Sequence, residues 1–159
     1  MQGMATASMC AVCDVEDNGL SLTNHFAQFY PMLGAQCKFH IIKDDPTGIF
    51  WTATTPPTDS FQPPEPLWAR GFAEAPGNER RVLVLMASCD ALNWFPLGFV
   101  AVSANPLESF SYASLLVRGE DLLLLSRTSR GGKNQHDTNL ITLHRVKDFR
   151  RLVPPGLFE

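Results

Sequence analysis

At 159 residues the chain has the length of one domain, and 45% apolar against 18% charged residues is a globular composition rather than a disordered one. A net charge of −3 with no basic block argues against nucleic acid as a partner. No apolar run approaches the roughly 20 residues of a membrane-spanning helix, and 12 prolines and 11 glycines interrupt the chain too often for long helices.

The opening stretch MQGMATASMCAVC has no basic n-region and no long apolar core. No signal peptide is read, and a cytoplasmic location is the default, with the natural N-terminus left open. Cys10 and Cys13 form a C-x-x-C pair, and Cys37 and His40 a C-x-x-H pair, the ligand types of a tetrahedral zinc site. The strand pattern of CKFHII argues against that site. Residues three apart on a strand point to opposite faces, so Cys37 and His40 would not converge. The expectation is no metal, no cofactor and, without a secretory signal, no disulfide.

Residues 20–34, LSLTNHFAQFYPMLG, read as the end of a preceding structural unit. KFHIIKD (38–44), the turn DPTG and IFWTATT (49–55) read as a hairpin, with Pro46 and Gly48 as turn residues. The proline-rich stretch 56–79 is a loop or covering segment. RRVLVLMAS (80–88), the link CDALNW and FPLGFVAVS (95–103) follow as strand, turn and strand. The pattern then starts again with YASLLVRG (112–119), a turn at GED, DLLLLSRT (121–128), the polar loop SRGGKNQHDT, NLITLHRV (139–146) and KDFRRLV.

A repeat of roughly 50–65 residues with four short strands is the size of a propeller blade. The runs RRVLVLMA and DLLLLS are continuously apolar, as expected of strands covered on both faces. The predicted fold is therefore all-β, a partial β-propeller of about two and a half four-stranded antiparallel blades. In it, 20–36 is the tail of one blade, 37–103 a complete blade and 104–159 an incomplete last blade. The second unit stops where its fourth strand is due, which reads as a piece of a larger propeller.

At SCDALNW (88–94) the chain resembles the Asp-box, the S-x-D-x-G-x-x-W turn of sialidase-type propellers. Ser88, Asp90 and Trp94 are in place, Leu92 stands at the glycine position, and the turn is one residue shorter. A second copy keeps Asp148 and Phe149 in KDFRRL. With KFHI, TDS, NERR and NLITLHRVKDFR in that order, the chain from about residue 18 onward resembles bacterial sialidase-like glycosyl hydrolases with BNR repeats. The resemblance implies structural Asp-boxes, with Asp and Ser bonding their own turn and Trp packing between sheets. It also implies a glycoside hydrolase acting on a glycan or glycoconjugate. The alternative is a non-catalytic carbohydrate- or protein-binding propeller.

The resemblance further implies a site on the rim that collects the strand 2–3 loops and the blade-to-blade links, here 31–37, 56–79, 104–111 and 129–138. Asp59, His136 and Asp137 are the candidate catalytic residues, since a histidine beside a carboxylate can act as an acid/base pair. His40, Arg70, Arg127 and Arg130 are the candidate substrate-binding residues, arginine being suited to hold a carboxylate. Each also has a purely structural reading. Asp59 could cap a turn, His40 could be a satisfied core histidine, and Arg70 could stack on Trp68. Arg127 and Arg130 could be solvated loop charges, and His136 and Asp137 could bond their own loop. Family chemistry uses a tyrosine nucleophile, for which this chain offers Tyr30 and Tyr112, neither beside a glutamate in sequence. The sugar stays open between sialic acid, another acidic sugar and a neutral glycan.

Overall fold

Apolar positions and turn residues set the strand boundaries seen in the computed structural model, which describes residues 8–34, 36–58, 65, 69 and 79–158. The described chain is all-β, with three antiparallel sheets. β1 (Met9–Asp17) and β2 (Leu22–Pro31) form a two-stranded hairpin. β3 (Ile42–Lys43), β4 (Phe50–Thr54), β5 (Val82–Ser88) and β6 (Phe95–Val102) pair in chain order as a four-stranded meander. β7 (Ser109–Arg118), β8 (Asp121–Ser129) and β9 (Leu140–Val146) pair in chain order as a third sheet, followed by a 3-10 helix, Phe149–Leu152.

The strand expected over 38–44 shortens to Ile42–Lys43. Just upstream of it the His40 carbonyl accepts from the Thr52 side chain, Oγ1 at 3.0 Å. Ahead of β2 stands β1, closed on it by an Asp17–Ser21 turn in which Asn18 Oδ1 accepts from Leu20 and Ser21 N–H at 2.9 Å. The β3–β4 turn is built as its residues demand. Gly48 takes φ +72°, and its N–H donates to the Asp44 carbonyl at 2.7 Å.

β5 is buried along its whole length, as its unbroken apolar run requires. One side of it, Leu83, Leu85 and Ala87, packs with Trp51 and Ala53 of β4 against Phe110, Ala113 and Leu115 of β7 and Leu122 and Leu124 of β8. The other side, Val82, Val84 and Met86, packs against Met32, with Cys10 of β1 and Trp94 alongside. The four-stranded sheet is thus the middle layer, with β7–β9 on one face and the hairpin end on the other. β8 has an equally apolar sequence but a different outcome. Leu122 and Leu124 are buried, whereas Leu125 is 48% exposed, because the described chain places nothing over that face.

Two contacts set the pairing of the second and third sheets. Phe149 and Trp51 are both fully buried, edge to face, with ring centroids 4.9 Å apart. Beside them, Arg150 reaches Asp44 in a two-pronged ion pair, Nε to Oδ2 at 2.8 Å and Nη2 to Oδ1 at 2.7 Å. Asp44 is 2% exposed, and the Arg150 guanidinium is the main cause holding its carboxyl below the usual range, helped by the Thr47 hydroxyl.

Toward the far end of the same layer the packing turns polar. Ser126, Thr128 and Thr142 link their hydroxyls, and His144 Nε2 lies 3.0 Å from Thr142 Oγ1 and 3.2 Å from Ser126 Oγ, with its ring edge-on to Phe110. Burial pushes the His144 imidazole below its ordinary value.

Removing one partner of a buried pair leaves the other charged and desolvated, so Arg150→Met should cost about 3–5 kcal/mol of unfolding free energy, read by urea denaturation. Adding Asp44→Asn to that variant should recover part of the loss. An Arg150→Met chain as stable as the wild type would dismiss the clasp.

The His144 shift also has a defined sign. The folded chain holds the ring neutral, while the unfolded chain takes up a proton near about pH 6.5, so stability falls as pH drops below that value. Melting temperatures from pH 8 to pH 5 should decline less steeply in His144→Gln than in the wild type. Parallel profiles would show that His144 does not carry this dependence.

Candidate functional site

β5 runs from Val82 to Ser88, so the loops before it and the turn after it lie at opposite ends of the sheet. The turn after it is the Asp-box-like SCDALNW. Asp90 Oδ1 accepts from the Leu92 and Asn93 N–H groups at 2.8 and 2.7 Å and from the Ser88 hydroxyl at 2.9 Å, and Asn93 Nδ2 donates to Oδ2 at 2.7 Å. The Asn93 backbone N–H, then its side-chain amide, are the largest causes that hold the Asp90 carboxyl far below the usual carboxylate range. Tyr30 is tied to this end as well, its hydroxyl donating to Asn93 Oδ1 at 2.8 Å. The second copy is built differently. Asp148, at φ +48°, makes no side-chain cap, while Phe149 supplies the packing.

The opposite end gathers the segments before β3, β5 and β7 and the β8–β9 loop. Gln36 Nε2 donates to the carbonyls of Thr55 and Glu79 at 3.3 and 3.0 Å. Buried Gln135 donates to the Pro106 carbonyl at 2.9 Å, and Ser109 Oγ to the Gln135 carbonyl at 2.7 Å. Phe110 N–H donates to the Arg80 carbonyl at 2.8 Å, stitching β7 to the start of β5. Glu79, 3% exposed, accepts from the Thr58 N–H and hydroxyl and from Arg81.

Tyr112 sits at the centre of this end. The β7–β8 register slips between Ser111 and Ser114, and Tyr112 occupies the bulge at φ +56°, a backbone state an aromatic L-residue rarely takes. Three cations surround its ring. The guanidinium carbons of Arg127 and Arg80 lie 5.1 and 5.6 Å from the centroid, and Lys38 Nζ lies 5.8 Å away. Arg80 Nη1 donates to the Tyr112 hydroxyl at 3.5 Å and stands 3.4 Å from His136 Nδ1, which then acts as an acceptor. Arg127 is braced by Thr138 Oγ1 at 3.0 Å from Nε and 2.6 Å from Nη2. Neither Lys38 nor Arg127 forms an ion pair with a carboxylate among the described residues.

Of the residues expected from sequence, His136 and Arg127 meet around Tyr112. His40 lies beside the same strand, its Nδ1 accepting from Leu115 N–H at 3.2 Å and lying 3.4 Å from Ser114 Oγ. Arg130 and Asp137 serve the loop frame. Arg130 Nε donates to Glu108 at 2.6 Å, and Asp137 Oδ2 accepts from Lys133 N–H at 3.1 Å. Ser103 first, then Arg130, hold the Glu108 carboxyl below its ordinary value. Asp59 and Arg70 lie outside the described residues.

Sequence reasoning missed Lys38 and Arg80, and it weighed Tyr112 only as one of two tyrosines. It also gave no role to Asn134, whose Oδ1 accepts from His136 and Asp137 N–H at 2.7 and 3.1 Å and so shapes the loop that carries His136. The only signal for Asn134 is its residue type in a glycine-rich loop. That loop is tight: a Cβ on Gly132 would stand 2.7 Å from Ser129 Oγ and 2.9 Å from Asp137 Cβ.

The exposed Arg127 and Lys38 are cations suited to an anion, and the Tyr112 hydroxyl and His136 imidazole stand at the same corner beside Arg80. Among the described residues no group of three or more His, Cys, Asp or Glu side chains could hold a metal ion, and the Cys37 thiol is buried with the Thr55 hydroxyl 3.1 Å away. Comparison with protein-family models, with curated proteins and with solved structures gives no match.

Loss of the two acceptor contacts in Asn134→Ala should cost about 1–2 kcal/mol at the usual worth of a hydrogen bond, with the strand content unchanged by circular dichroism. A denaturation midpoint equal to that of the wild type would mean that Asn134 does not shape this loop.

Proposed function

We propose that the chain is part of a sialidase-like β-propeller and that the corner around Tyr112 takes the acid group of an acidic glycan. The observation that carries this reading is the convergence of Arg80, Arg127 and Lys38 on the ring of one strained tyrosine, with His136 against Arg80. Two further observations support it. Four consecutive strands form a meander that packs face to face on the next sheet, as blades do, and the Asp-box-like turn closes the end away from the corner.

In this reading Arg127, with Lys38 beside it, holds the carboxylate in charge-assisted bonds. The Tyr112 hydroxyl, which receives a hydrogen bond from Arg80, attacks the anomeric carbon as the glycosidic C–O bond breaks; its proton passes to the departing aglycone oxygen by way of His136, and water then releases the sugar from the tyrosine. Tyr30 is removed from this role by its bond to Asn93 at the other end. A binding module is the second reading. It is favoured by the carboxylates near the corner, since Glu79, Glu108 and Asp137 each already serve a structural bond.

Titration calorimetry with an acidic monosaccharide, N-acetylneuraminic acid, against its neutral counterpart N-acetylmannosamine separates charge recognition from ring stacking. The acidic sugar should bind better, and Arg127→Ala should weaken it about 10–100-fold, the worth of a bond to a charged group. Equal binding of both sugars, or an unaffected Arg127→Ala, would sink the assignment. Turnover of fluorogenic glycosides that disappears in Tyr112→Phe while binding persists marks the hydrolase; binding without turnover in the wild type marks the module.

A further inference from the structure

The loop that closes β1 on β2 is Asn18, Gly19, Leu20 and Ser21, between the paired Asp17 and Leu22. It stands clear of the rest of the chain. Leu20 is 98% exposed, and a Cβ built on Gly19, at φ +80°, would meet nothing within 4 Å. An asparagine followed by glycine sets its carboxamide carbon within reach of the next backbone nitrogen, and glycine has no side chain to obstruct the approach. Closure of the two would make a five-membered imide.

The turn equips both reacting groups. Asp17 Oδ1 accepts from the Gly19 N–H at 2.8 Å, so a carboxylate stands where it can take the proton of the attacking nitrogen. Asn18 Oδ1 accepts from the Leu20 and Ser21 N–H groups, each at 2.9 Å. Two backbone donors on one carboxamide oxygen polarise its carbon, and they are in place for the negative charge that the oxygen gains on attack. Asn18 Nδ2, the nitrogen that would leave, donates to Ser21 Oγ at 3.1 Å. These bonds also hold the turn, as side chains of this kind do. What distinguishes this one is that a base, a nucleophile and an oxyanion site meet at a single peptide bond.

We propose that this turn is a self-modifying site, at which the folded hairpin converts Asn18 to aspartate and isoaspartate. Gly19 N gives its proton to Asp17 and attacks Asn18 Cγ. The bond from Cγ to Nδ2 breaks, Nδ2 takes up that proton and leaves as ammonia, and the imide joins Asn18 to Gly19. Water then opens the ring. Addition at the side-chain carbonyl leaves aspartate. Addition at the main-chain carbonyl leaves isoaspartate, with the backbone running through the former side chain. Water enters and ammonia departs, and nothing is oxidised or reduced. Either product adds a negative charge to a hairpin end that already holds Asp14, Glu16 and Asp17, and isoaspartate lengthens the backbone of the turn. The site is separate from the glycan corner and does not rest on that reading.

Peptide mapping of the full chain held at neutral pH, with isoaspartate methyltransferase labelling of the product, reads the rate at Asn18. The folded chain should convert at least about tenfold faster than the same chain unfolded in guanidinium chloride, where the sequence is unchanged and the base and the oxyanion donors are dispersed. Asp17→Asn keeps an acceptor for the Gly19 N–H but removes the base. It should slow conversion at least about tenfold with the circular dichroism spectrum unchanged. A folded chain no faster than the unfolded one would show that the bonds pin the side chain instead of activating it, and overturns the proposal. This comparison uses the wild type alone, so it decides the matter even where Asp17→Asn disturbs the hairpin. A well-folded Asp17→Asn chain that converts at the wild-type rate overturns it as well.

Discussion

The buried pair of Asp44 and Arg150 is the constraint on which the rest of the arrangement depends. Asp44 belongs to a tight turn at one corner of the middle sheet, and Arg150 arrives from a 3-10 helix beyond the last strand, 106 positions later. A carboxylate this deeply buried must be neutralised by a geometrically matched partner. Arg150 meets the need only when the third sheet lies at one angle across the second. The pair adds little net energy of its own. Its effect is to admit one docking angle, while Trp51 and Phe149 beside it supply the apolar burial that makes docking favourable.

That angle fixes the other end of the molecule. With the two sheets clasped at the Asp44 corner, the start of β5 and the bulge of β7 meet at the opposite rim, where Phe110 N–H bonds the Arg80 carbonyl. The layer between the sheets changes character along the way, from Leu122, Leu124 and Phe149 to Ser126, Thr128, Thr142 and His144. A polar layer needs its partners in register, because a buried hydroxyl without one costs roughly 1–3 kcal/mol. The linked hydroxyls therefore resist sliding of β9 along β8 and hold the β8–β9 loop, with His136, in one position relative to Arg80.

The parts of this architecture legible in the sequence are those governed by periodicity and turn chemistry. The strands read at 49–55, 80–88, 95–103, 121–128 and 139–146 lie where they were expected, because each is an apolar or alternating run set off by turn residues. β1 escaped notice although Asn18 and Gly19 stand at its turn, a strong hairpin signal, because its own residues, MCAVCDVED, invited a reading as cysteine ligands. The leucine run of β8 cannot report which face is covered, since an apolar residue facing the core and one facing an open side are the same letter. The corner around Tyr112 was the least legible. Arg80 and Arg127 are 47 positions apart and Lys38 another 42 before Arg80. Nothing local in SFSYAS announces a bulge.

The bulge itself is the part of the molecule that least resembles a structural necessity. A non-glycine residue at φ +56° costs about 1–3 kcal/mol, and a glycine at position 112 would carry none of that strain. The backbone is held there by its neighbours, since Ser111 and Ala113 are buried and Phe110 is bonded across to Arg80. Cation–π attraction from three side chains offsets part of the cost. Yet the same three charges repel one another, and the repulsion grows as the corner loses water. The proposed occupant, an acid group held by Arg127 and Lys38, would ease that repulsion, whereas the backbone strain is carried by the bulge with or without it.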